Sequence, residues 1–158
     1  MLFTNFAARI SSPDVVKLLL DTHPRDDFFI DQGTKKGSTA LSLCCYRQDD
    51  AGIAIAEMLL NHGANIQPEK QLDPPFAAAC EYATAAMVEF LVSRGANVNP
   101  LDKHGIHPLT LACYNHFAGE EIIDILIHAG AEPTPNILTT AFRNDVFNVM
   151  ARVDDPTL

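Results

Sequence analysis

One phrase is written three times along this chain. Leu59-Leu60-Asn61-His62-Gly63-Ala64-Asn65-Ile66 is answered by Leu91-Val92-Ser93-Arg94-Gly95-Ala96-Asn97-Val98, and then by Leu126-Ile127-His128-Ala129-Gly130-Ala131. The shared glycines stand 32 and 35 residues apart. A near-fixed period in the thirties predicts a stack of supersecondary units, each burying its apolar face against its neighbours, in place of a single globule with one central site.

Each unit opens on a helix-start signature. Gly37-Ser38-Thr39-Ala40-Leu41 places Thr39 as an N-cap, and in Leu72-Asp73-Pro74-Pro75-Phe76 and Gly105-Ile106-His107-Pro108-Leu109 the residues Pro75 and Pro108 suit a first helical turn. A short helix rich in small residues follows: Leu43-Cys44-Cys45, Ala77-Ala78-Ala79-Cys80, Leu111-Ala112-Cys113. A second helix carries Ile55, Met58 and Leu59, then Met87, Val88 and Leu91, then Ile122, Ile123 and Leu126 at helical spacing. Gly63, Gly95 and Gly130 end these helices as left-handed caps. Turn-rich connections such as Asn97 to Gly105 have the composition of an extended hairpin finger.

Charge and cysteine narrow the chemistry. The 158 residues carry a net charge of −9, which argues against nucleic acid, whose phosphates demand a basic face, and suits a basic protein partner. No apolar run reaches the length of a membrane span, and Met1 to Ile10 lacks the pattern of a secretory signal, so a cytoplasmic, membrane-free protein is expected. Cys45, Cys80 and Cys113 share one position in the repeat, with Cys44 beside the first, which predicts buried thiols. No paired C-x-x-C motif calls for zinc. There is no phosphate loop, nucleophile elbow or H-E-x-x-H motif, so no cofactor, metal or catalytic residue is assigned. Asp49-Asp50 and Glu120-Glu121 are read as charges at helix N-termini, and His107 as a cap or hydrogen-bonding residue at a helix start.

On these residues the chain resembles the ankyrin repeat, whose pattern runs G-x-T-P-L-H-x-A-A, then a second helix ending L-L-x-x-G-A-D-V-N, then a β-turn. The closest correspondence is Gly95-Ala96-Asn97-Val98-Asn99 leading into Gly105-Ile106-His107-Pro108-Leu109-Thr110-Leu111-Ala112-Cys113. The resemblance implies an all-α helical-repeat solenoid with short β-turn fingers and about five helical pairs. Its expected divisions are an N-terminal cap over 1–32, repeats over 33–66, 67–99 and 100–132, and a C-terminal cap over 133–158. Thr4 to Ala8 with Val15 to Leu20 form the first pair, and Ile137 to Phe142 with Val146 to Met150 the last. The departures are His23 in place of a capping Gly, a first finger lengthened by Pro24 to Ile30, and Leu72 where Gly is usual.

The resemblance also implies binding of another protein through finger tips and through inner helices lining a concave surface. All three tyrosines, Tyr46, Tyr82 and Tyr114, fall within one residue of the same repeat position, near the end of that inner helix. Tyrosine anchors interfaces because it offers rigid area at low entropic cost. Arg47, Glu81, Asn115 and Arg143 are expected to frame this row, with Lys35, Lys36, Lys103 and His104 as contacts on the fingers. Phe28 and Phe29, in the lengthened finger, are expected to seal the first repeat's core. The function expected is a non-enzymatic module, monomeric when free, that inhibits or neutralises a partner in the manner of a bacterial immunity protein. A scaffold bridging two partners is the alternative, and an enzyme using the His and acidic residues a minor one.

Overall fold

The computed structural model describes residues 8–9, 12–22, 30–68, 74–102, 104–133, 137 and 140. Among these, seven helices have defined bounds: α1 (Pro13–Thr22), α2 (Ala40–Cys44), α3 (Asp50–Asn61), α4 (Pro75–Tyr82), α5 (Ala85–Ser93), α6 (Pro108–Ala112) and α7 (Gly119–His128). They form two layers. The short helices α2, α4 and α6 pack side by side in one, and α1, α3, α5 and α7 pack in sequence in the other. The second half of the first cap pair is α1, while residues 4–7, His23 to Phe29, Leu72 and 141–158 lie outside the described residues.

Local chemistry sets the helix starts. Thr39 caps α2 by accepting a hydrogen bond from the Ser42 N–H at 3.2 Å, and Asp49 caps α3 through the Gly52 N–H at 3.1 Å. Thr84, a cap that the sequence reading passed over, serves α5 through the Met87 N–H. Pro75 and Pro108 occupy first-turn positions of α4 and α6. Asp50, Glu120 and Glu121 stand in first turns, where their charge complements the helix dipole. His107 departs from expectation: it sits at the N-cap of α6 with extended backbone, yet its side chain makes no capping bond and Nδ1 is buried without a partner.

The helix ends repeat one device. Gly63, Gly95 and Gly130 have φ of 94°, 87° and 87°, and the following alanine N–H returns to the carbonyl of Leu59, Leu91 or Leu126. This paired closure satisfies carbonyls that the helix leaves open. Ala64, Ala96 and Ala131 are each only 8% exposed, so the turn is sealed by apolar contact as well.

The core is a continuous ribbon. Leu41, Ile55 and Leu59 lead into Phe76, Met87 and Leu91, then into Leu109, Ile122, Ile123, Leu126 and Ile137, all buried. Side chains near the helix ends then tie one repeat to the next. Asp31 accepts from the Asn65 N–H at 2.9 Å, and two repeats later Asn99 accepts from the Glu132 N–H at 2.8 Å while donating to the Gly130 carbonyl. Two fingertips have matching turns: Thr34 N–H bonds Ser38 O, and Asp102 N–H bonds Ile106 O, with Gly37 and Gly105 at positive φ inside them.

Candidate functional site

The inner helices α2, α4 and α6 each end at a tyrosine. Tyr82 is the last residue of α4, and Tyr46 and Tyr114 follow the caps of α2 and α6. All three rings stay partly open, at 36%, 42% and 44% exposure for Tyr46, Tyr82 and Tyr114. Tyr46 and Tyr82 pack with ring centroids 5.0 Å apart and planes tilted by 36°, within the range of favourable aromatic pairs.

The three rings line one cleft of about 340 Å³. Pro74, Ala77, Ala78 and Leu111 give it an apolar lining, and the finger before α6 contributes Asp102, His104 and Ile106. The small side chains of α4 create this space, because larger ones at 77 and 78 would fill it. Of these lining residues only His104 was expected from the sequence; Pro74, Ala77, Ala78, Asp102, Ile106 and Leu111 were not. Part of the signal was present, since Pro74, Ala77, Ala78 and Glu81 follow helical spacing and so share a face.

The polar surround expected for the row divides. Glu81 does line the cleft, and its Oε1 accepts from the Tyr82 hydroxyl at 2.6 Å. His104 lines it too, exposed on the fingertip, and Lys35 and Lys36 are exposed on the corresponding earlier tip. Asn115 is elsewhere. It is 5% exposed, donates to the carbonyls of Cys80 and Ala83, and accepts from the N–H groups of Phe117 and Ala118. Arg47 occupies the equivalent position two repeats earlier and is likewise engaged. Its guanidinium grips Asp49 with two bonds of 2.8 and 2.7 Å and donates to the Arg9 carbonyl. The bond to Asp49 raises the Arg47 pKa and lowers that of Asp49, so both remain charged. Asn115 and Arg47 are therefore ties to the preceding repeat and not the frame of the row. Lys103 and Arg143 lie outside the described residues.

The remaining reactive groups are quiet. Cys44, Cys45, Cys80 and Cys113 are all buried and form no disulfide. Burial raises the thiol of Cys44 to about 12 and that of Cys113 to about 11, and pushes Cys80 upward as well. Thiols held protonated are poor nucleophiles. Among the described residues no cluster of three His, Cys, Asp or Glu could hold a metal ion, and no helix is long and apolar enough to cross a membrane.

Comparison with protein families gives two matches. A profile described as ankyrin repeats, in three copies, covers residues 54–137, and one for a single ankyrin repeat covers residues 36–69. A search of curated proteins found no match.

Proposed function

The chain belongs to the ankyrin-repeat family, a protein–protein interaction module generally without enzymatic activity, and from that premise we propose that it inhibits or neutralises a protein partner through its inner face. The observation that supports this reading most is the convergence of every tyrosine in the chain on one cleft. Folding does not demand that arrangement. Three half-exposed aromatic rings are a hydrophobic cost in water and an asset at an interface, where rigid rings supply most of the energy of binding. The net charge of −9 favours a basic partner, since opposite fields accelerate encounter. A scaffold role would use the same face without silencing what it holds.

The test has two steps. A partner is first isolated by pull-down from the native host and identified by mass spectrometry, and purified partner is then titrated against single Tyr→Ala variants by calorimetry. Tyr82→Ala is expected to weaken binding by about thirtyfold, roughly 2 kcal/mol. Unchanged affinity in all three variants would remove the inner face from the interface. Assay of the partner's own activity with one equivalent of this protein separates an inhibitor, which abolishes it, from a scaffold, which leaves it intact.

A further inference from the structure

We infer that the tyrosine cleft is a socket for an arginine side chain presented by the partner's basic surface. This rests on the reading of the inner face as an interface and assigns the chemistry of its centre. Besides Tyr46, Tyr82 and Tyr114, the charged side chains lining the cleft are the carboxylates of Glu81 and Asp102, with His104 at the fingertip. Glu81 spends Oε1 on the Tyr82 hydroxyl, and Asp102 spends Oδ1 on the N–H groups of His104 and Ile106, both at 2.7 Å. Each carboxylate is thus held in place by one oxygen, and its other oxygen takes no donor among the described residues. Arg47, the cation next to Tyr46 in sequence, is committed to Asp49 and to the Arg9 carbonyl.

Aromatic faces attract a cation through their quadrupole, and the attraction grows as water is displaced. A guanidinium is planar, weakly hydrated and forked, so it can stack on a ring while donating to carboxylates at its edge. An ammonium, compact and strongly hydrated, exploits this arrangement less well. A neutral aromatic or aliphatic side chain would bury the two carboxylates without a counter-charge, which is costly. An acidic side chain would be repelled.

The protein contains no tryptophan, and its three tyrosines all line this cleft, so tyrosine emission reports on the cleft alone. The whole chain is titrated with a blocked glycine-rich pentapeptide carrying one central arginine, and with its citrulline and lysine counterparts. The arginine peptide is expected to change the emission saturably. Citrulline, nearly isosteric and neutral, is expected to bind at least about tenfold more weakly, with lysine between them. Glu81→Gln and Asp102→Asn keep the oxygens that accept from Tyr82 and from the finger backbone. Each is expected to weaken the arginine peptide by about tenfold while far-UV circular dichroism and Tm stay unchanged. Equal binding of the citrulline peptide, full binding by both variants, or no saturable response overturns the socket. If that happens while Tyr82→Ala still weakens the partner protein, the interface reading survives without the socket. If the tyrosine variants also leave the partner untouched, both fall.

Discussion

Asn115 and the cysteines carry the most at the scale of single residues. The Asn115 amide satisfies two carbonyls of the preceding repeat and two N–H groups of its own loop. Removing it leaves those groups without this partner, and the two carbonyls lie in a buried site. Asn115→Ala is therefore expected to lower stability by about 3 kcal/mol in urea unfolding, because a buried unsatisfied group costs more than a hydrogen bond contributes. A loss below about 0.5 kcal/mol would show the network to be dispensable. The thiols make stability depend on alkaline pH. In the unfolded chain they ionise near 9.0, whereas burial keeps Cys113 protonated to about 11 and Cys44 to about 12. Their contribution is complete below pH 9 and is lost as pH rises toward the folded values, by about 1.4 kcal/mol per pH unit for each thiol. Urea unfolding at pH 8 and pH 10 is expected to show this fall, and Cys44→Ala to reduce it. An equally steep fall in that variant would assign the effect to another group.

Two glycines show how elements are joined, for different reasons. At Gly95 an added Cβ would meet nothing within 4 Å, so its requirement lies wholly in the backbone, at φ 87°. Gly95→Ala is expected to cost about 1 kcal/mol by thermal unfolding, and Gly95→Asn less, since asparagine tolerates the left-handed region. Gly119 sits at the start of α7, where an added Cβ would stand 2.7 Å from the Ala112 carbonyl oxygen at the end of α6. Here the constraint is the close approach of two helices within one repeat. Gly119→Ala is expected to cost about 2 kcal/mol despite alanine's better helix propensity, as the pair must part to admit the methyl group. A neutral or stabilising result would mean that the loop over residues 115–118 yields freely.

Among the described residues, the main helix contacts join neighbouring repeats, and one core cluster runs through them. With so few units, the interfaces between repeats outweigh what any repeat gains alone, and unfolding is expected to be a single transition. Tyrosine emission samples the inner layer of three successive repeats, while circular dichroism samples every helix. The two probes are expected to give coincident urea midpoints. Separate midpoints would show the stack melting in pieces. Binding of a partner across the inner face should then raise the stability of the whole stack, by about 2.7 kcal/mol at a hundredfold excess over Kd.

What the sequence determined by itself was whatever depends on neighbours within about four residues. The paired helices, the cap at Thr39, the acidic helix start at Asp49-Asp50 and the left-handed Gly63, Gly95 and Gly130 follow from local spacing, and the repeat register adds the burial of the cysteines. The common register of the tyrosines was legible for the same reason. Tertiary structure decided what that register touches. Tyr114 and Asn115 are adjacent in sequence, yet one lines the cleft and the other is buried against the preceding repeat, where its amide donates to the carbonyls of Cys80 and Ala83. Asp102 and His104 share the cleft with Tyr46, more than fifty residues away in sequence. That convergence is set by the packing of repeat on repeat, which no local motif spells out.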